Sequence, residues 1–386
     1  MTVAGLTGRE QAVLDWLGGA QPAMLQVLQQ LVDTDSGSHD KAGVDAVVRQ
    51  LREWLAAHGV EGRLHRNASA GDCLKAVVGS GERPVVLMGH CDTVFEAGTA
   101  ARRPFRIDGD LAYGPGVADM KAGLVANAFV LAAFARAGLE VPLAGLFTAD
   151  EEIASPASRP FIEAHVAGAR AVLNAEPGRP SGNVVTGRKG AMFLDCQVTG
   201  IAAHSGVNHQ DGASAIEALC RKVQAMHRLT DYEAGTTVNV GLIRGGSSVN
   251  TVAAQADASV DIRFRTHEAL ETVQARIDAI LAADDVPGTC AHVRQRRFFL
   301  PLVQSEGSRR LFDAYAEAAA ALGFDVAGEY SGGSADSGFT AAAGIPTLCS
   351  TGPVGGKVHT EGEWLQVGSL VPRAQAMALT ALRLLR

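Results

Sequence analysis

The sequence has no paired cysteines, no long apolar run and no surplus of positive charge. Its six cysteines, Cys73, Cys91, Cys196, Cys220, Cys290 and Cys349, stand singly with no C-x-x-C pair. That is a reduced-thiol pattern and points to a cytoplasmic setting. No run reaches the roughly 18 apolar residues that a membrane span needs. The opening MTVAGLTGREQAVLDWLGG carries acids early and has no unbroken apolar core, so no signal peptide is expected. A formal net charge of −7 argues against nucleic acid or an anionic membrane as partner. No G-x-S-x-G elbow occurs, which disfavours a serine hydrolase. HEALE at 267–271 is not H-E-x-x-H, and P-loop and Rossmann glycine fingerprints are missing.

What is present is ordinary for a soluble protein with a large core: 47% hydrophobic and 19% charged residues. A length of 386 residues favours two domains over one. Apolar spacing predicts helices over 22–31, 42–58, 120–137 and 156–166, and strands over 74–78, 85–88, 143–148 and 171–174. Helices alternating with short apolar strands imply an α/β sheet covered on both faces. The pattern changes near 186–190. From there to about 299 it reads as strand, helix, two strands, helix, strand, the order of a ferredoxin-like insert. Alternation of the first kind resumes at 308–322, 345–350 and 368–385. The expected division is 1–187 and 300–386 for one domain and 188–299 for the insert.

The chemistry concentrates between Val85 and Glu152. Three runs end in acids or a histidine: His90-Cys91-Asp92, Asp119 after Gly114-Pro115-Gly116, and Glu151-Glu152. Residues two apart in an extended segment point the same way, so Asp92 is placed to hold the ring of His90 while Cys91 faces into packing. Asp119 reads equally as an N-cap of the following helix or as a site residue. Glu151 and Glu152 are adjacent like charges, each raising the other's pKa, and read as a solvated acidic loop or as a cation ligand beside a general base. Glu176 and His359 are further candidates downstream. Oxygen and imidazole donors without thiolate suit zinc, cobalt or manganese.

HCDTV, GPGVADMKAG, TADEE, NAEP, AHSG at 203–206 and VHTEGEWL, in this order and over nearly the whole chain, resemble the M20 metallopeptidases. RPFRIDGDLAYGPG at 103–116 is similar to a phrase of the glutamate carboxypeptidase branch. The resemblance implies a zinc-exopeptidase-like catalytic domain, with a mixed sheet covered by helices, and an inserted ferredoxin-like α+β lid and dimerisation domain. It implies two zinc ions, replaceable by cobalt or manganese. Asp119 would bridge them, with His90 and Glu176 on one and Glu152 and His359 on the other. Asp92 would orient His90, Glu151 would act as general base, and a cis peptide would follow Asp119. His204 would reach the active site of a partner subunit and steady an oxyanion. Asn250 and Arg263 would bind the substrate's free carboxylate, and Gly332, Gly333 and Ser334 would form a backbone wall beside it.

The resemblance departs at Val184, where the glutamate carboxypeptidase branch carries a lysine that helps hold a glutamate side chain. It therefore implies the hydrolytic machinery, not a glutamate pocket. The expected substrate is a small peptide or an N-acyl amino acid, cut at an amide beside a free carboxylate by a homodimer joined through 188–299. The rivals are an N-acyl-amino-acid deacylase with the same parts and, more distantly, a non-catalytic binding protein on the same fold.

Overall fold

The computed structural model describes Val3 and residues 5–386, and the chain folds as two compact units. The first unit runs to Gly187 and resumes at Leu302–Ser331 and Asp336–Arg386. The second is Arg188–Pro301 with Gly332–Ala335. The excursion thus ends two residues beyond the expected 299, and Gly332, Gly333 and Ser334 belong with the insert. Arg263 and Arg188 tie that short segment to it by donating to Ser334 Oγ and Gly333 O.

A six-stranded mixed sheet forms the first unit, in the order Glu61–His65, Cys73–Val78, Leu143–Thr148, Val85–His90, Ala171–Asn174, Thr347–Leu348. Val85–His90 lies between two parallel neighbours and is buried along its length, which explains its unbroken apolar run. The expected strands and helices form within a few residues of their predicted ends, with two exceptions. The helix over 156–166 starts only at Arg159. Ala154 and Ser155 have positive φ, and the Asp150 carboxylate accepts the N–H groups of Ala157 and Ser158, holding the chain in a turn there. The strand expected over 345–350 shortens to Thr347–Leu348.

Helix Ala122–Arg136 is apolar on nearly all sides. By length and mean hydropathy, Val117–Arg136 passes for a membrane span, yet 94% of that stretch is buried inside the unit, as a core helix is. Phe129 on it stacks with Trp16 and Trp54, at centroid distances of 5.6 and 4.4 Å, and so joins helices Gly8–Gly18 and Lys41–Ala57. The sequence reading gave no element for Gly8–Gly18, nor for the small sheet of Gly355–Gly356, Trp364–Gln366, Leu111–Tyr113 and Arg106–Asp108. Pieces of two or three residues are too short to show a period.

The second unit has an antiparallel sheet in the order Thr237–Gly245, Gln255–Phe264, Gly190–Thr199, Cys290–Phe299, with helices Ala215–His227 and His267–Ala282. This is the ferredoxin-like order. Met192, Leu194, Ile262 and Phe264 pack with Leu219 and Ile277 as its core. Lys222 is buried there because its ammonium donates to Ile280 O, Ala283 O and Asp285 Oδ2, closing the end of a helix.

Candidate metal centre

Three parallel strands of the first unit end side by side, and each ends on a candidate ligand or is followed by one within four residues. Val85–His90 ends on His90, Leu143–Thr148 leads to Glu151 and Glu152, and Ala171–Asn174 leads to Glu176. The crevice beyond the carboxyl ends of such strands is where α/β sheets commonly bind ligands. Asp119 arrives from a turn that demands glycine. Gly114 and Gly116 have φ of +150° and +71°, and a Cβ on either would meet Val32 Cγ1 at 2.3 Å or Thr93 Cγ2 at 2.5 Å. Asp119 does not cap the next helix, whose first-turn flank is Lys121 with no side-chain cap. The peptide joining it to Met120 is cis.

His90 Nδ1 lies 3.0 Å from the Asp92 backbone oxygen and 3.3 Å from Asp92 Oδ1. With Nδ1 held there, Nε2 faces Asp119 Oδ1 at 3.2 Å and Glu176 Oε1 at 3.6 Å. The other oxygen of Asp119 stands 3.3 Å from His359 Nε2, which is 3.2 Å from Glu152 Oε2. Two donor groups result, His90 with Asp119 and Glu176, and Asp119 with Glu152 and His359. In each, the donor atoms lie within 4.8 Å of one another. Asp92 is a hub below them. Its Oδ2 accepts from Ser38 Oγ at 2.6 Å, and its two oxygens accept the N–H groups of Glu151 and Glu152 at 3.0 and 3.1 Å. Cys91 is fully buried, facing packing as expected.

Burial raises Glu151 well above the usual carboxylate range, with His90 pulling against it and Glu176 and Asp336 adding to it. Burial, then the charge of Asp119, pushes Glu152 up to about 7. For Asp119 burial works upward, but hydrogen bonds from His359 and His90 hold it well below the usual range. Hydrogen bonds to Asp119 and Glu152 raise His359 to about 10. Four carboxylates thus crowd two imidazoles, and Glu152 Oε1 is buried without a hydrogen-bond partner. What this set lacks is positive charge, and its oxygen and imidazole donors fit divalent cations.

The sequence reading missed several residues that build this site. Ser38 carries no motif. Asp336 is fully buried, accepting from Thr148 Oγ1 at 3.2 Å and from Ser155 Oγ, and burial pushes it up to about 7. Glu363, four residues past His359, is also fully buried. Glu363 lies inside VHTEGEWL and Asp336 two residues past Ser334, and nothing in the spacing separates either from a surface acid.

The remaining candidates lie in the second unit, in two places. His204 and Asn250 share one loop pair, where Ser205 N–H donates to Asn250 O at 3.0 Å and His204 bridges Thr251. Both are exposed. Arg263 sits at the other end of strand Gln255–Phe264. Its guanidinium forks onto Asp261 at 2.6 and 2.7 Å and donates to Ser334 Oγ at 3.1 Å. Asn250 and Arg263, expected to hold one carboxylate together, are therefore separated by the length of a strand. At about 3.3 Å per residue, the eight steps from Gln255 to Arg263 span about 26 Å. Val184 is fully buried and donates its N–H to Ala327 O, so it presents nothing to a ligand.

Comparison with known proteins identifies the family. The model of peptidase family M20/M25/M40 matches residues 86–383. Carboxypeptidase G2 of a Pseudomonas species is 28% identical over 371 residues, covering 93% of this chain and 88% of its own. Acetylornithine deacetylase of Vibrio cholerae is 31% identical over 310 residues, covering 70% of this chain and 80% of its own. The M20 family metallo-carboxypeptidase Sso-CP2 of Sulfolobus solfataricus has the same fold, with a TM-score of 0.73 at 18% identity, covering 93% of this chain and 98% of that one.

Proposed function

The chain belongs to peptidase family M20/M25/M40 and is a metallohydrolase acting on amide bonds, and we propose that it uses two zinc ions to cut an amide beside a free carboxylate. The observation that carries the two-ion reading is the division of Asp119. One oxygen faces His90 and the other His359, and each histidine has a carboxylate of its own. Zinc ions at the two donor groups, with cobalt or manganese as substitutes, would polarise the scissile carbonyl and lower the pKa of water.

The chain's own residues supply the rest. Asp92 fixes the ring of His90 and, through the N–H groups of Glu151 and Glu152, the turn that carries both acids. Glu151, buried and raised in pKa, takes the proton from the attacking water and passes it to the nitrogen of the leaving amine. Glu152 then serves as ligand.

Arg263 is the proposed anchor of the substrate carboxylate, with Gly333 and Ser334 beside it. Its fork already grips Asp261, so an incoming carboxylate takes the place of that partner or shares the guanidinium with it. His204 and Asn250 lie beyond the Gln255 end of the strand, and Gln255 itself is about 26 Å along it from Arg263, which disfavours their holding the same small substrate within one chain. That separation supports a homodimer in which the His204 loop serves the partner's site and steadies the oxyanion there. The free cysteines support a cytoplasmic setting.

Both a small peptide and an N-acyl amino acid offer such an amide. The buried Val184 and the likeness to a deacetylase favour the deacylase as second reading. The test is to titrate the metal-free chain with zinc while following amine release from N-acyl amino acids. Activity should rise until two equivalents are bound. Saturation at one equivalent, or activity unmoved by zinc, would contradict the proposal.

A further inference from the structure

Glu363 pins together the two chain segments that approach the outer side of the metal centre. Its carboxylate is fully buried, and three backbone N–H groups of the Asp119 turn converge on it. Oε1 accepts from Ala118 at 2.9 Å and Asp119 at 3.0 Å, and Oε2 accepts from Gly116 at 3.2 Å. Such a run of amides is an anion nest, here filled by the chain's own acid. Glu363 also ends the tip that carries His359. Its N–H bonds Thr360 O at 3.3 Å, and Thr360 Oγ1 donates to Lys357 O at 2.6 Å and accepts from Gly362 N–H at 3.2 Å. The tip needs such bracing, because Lys357 and His359 both have positive φ, at 52° and 62°, which non-glycine residues adopt at a cost. One residue later, Trp364 pairs with Tyr113 in the strand that leads into the Gly114–Gly116 turn.

From this we infer that Glu363 is a positioning residue for the metal ion held by Asp119, Glu152 and His359. The inference rests on the two-metal reading above. Of that ion's three ligands, Asp119 and His359 lie on segments joined through Glu363, and their 3.3 Å approach depends on the joint. The other group draws His90 and Glu176 from strand ends of the large sheet and shares only Asp119 with the pinned turn. Losing the pin therefore weakens one ion far more than the other. A carboxylate is needed for the task. Both its oxygens accept, whereas the amide of a glutamine turns a donor toward an N–H and leaves that buried group unsatisfied.

The test is zinc binding to the metal-free chain, measured by competition with a chromophoric chelator, for wild type, Glu363→Gln and Glu363→Asp. The aspartate keeps the charge but falls one methylene short, so it also separates position from charge. In both variants one zinc should bind about 10- to 100-fold less tightly than in the wild type, the usual cost of losing a group that orients a ligand, while the other, then the tighter, changes little. Far-UV circular dichroism and the retained tighter zinc report that the chain is folded. Adding Glu363→Gln to His359→Ala should weaken binding no further than His359→Ala alone, because both act on one ion. Two zinc ions at wild-type affinity in both folded variants would overturn the inference alone. A wild-type chain binding fewer than two would overturn the metal reading and the inference with it.

Discussion

Asp92 accepts the backbone N–H of Glu151 at 3.0 Å while its other contacts hold His90 and Ser38. One buried carboxylate thus sets both the histidine ring and the acid that moves the proton. Asp92→Asn turns an NH2 toward amides that need an acceptor. Metal affinity should fall about 10- to 100-fold, and turnover should fall with it even at saturating zinc. Chelator competition and turnover at excess zinc measure the two effects separately.

Glu151 has a different signature. Its carboxylate belongs to neither donor group, and its Oε2 lies 3.9 Å from His90 Nε2. Glu151→Gln should keep two metals and lose at least about 10²- to 10⁴-fold in turnover, the range expected for a general base. Near-normal activity would remove Glu151 from that role.

Metal binding should release protons. Hydrogen bonds to Asp119 and Glu152 raise His359 to about 10, and burial lifts Glu152 to about 7, so at pH 6 the metal-free site holds a proton on each. A ligand nitrogen or carboxylate must be deprotonated to bind. Affinity should therefore climb with pH from 6 upward, and more protons should be released at pH 6 than at pH 8, where Glu152 is already ionised. Calorimetry in two buffers of different ionisation enthalpy counts them. Binding without proton release would contradict the protonation of His359 and Glu152 in the metal-free site.

Much of the candidate site was legible in the sequence: His90, Glu152 and Glu176 stand at or just past the ends of apolar strands, while the division of ligands between two ions came from the family resemblance. The alternation rule placed His90 and Asp92 together, and the parallel strands Val85–His90, Leu143–Thr148 and Ala171–Asn174 could be read from their apolar runs. Asp119 was ambiguous because caps and ligands use the same residue in the same place, and only the backbone around it decides. Ser38, Asp336 and Glu363 stayed hidden because what marks them is burial reached through distant partners, as when Glu363 meets a turn almost 250 residues earlier in the chain. For Asn250 and Arg263 the motifs carried no spacing information: a strand lies between them within one chain.

That strand also yields a prediction about assembly. If the His204 loop serves the partner's site, His204→Ala and Arg263→Ala chains, each inactive, should regain activity when mixed, because one of the two sites in a mixed dimer then carries both residues. A verified mixed dimer with no recovery would place both residues in the same chain's site.

The most direct test of the whole account is amine release across a panel of N-acyl and peptidyl amino acids, each offered with its carboxylate free and as its methyl ester. The zinc-loaded chain should cleave a subset of the free acids, lose that activity to a chelator, and cleave the matching esters far more slowly. Equal cleavage of acid and ester, or no cleavage by a chain holding two metals, would contradict it.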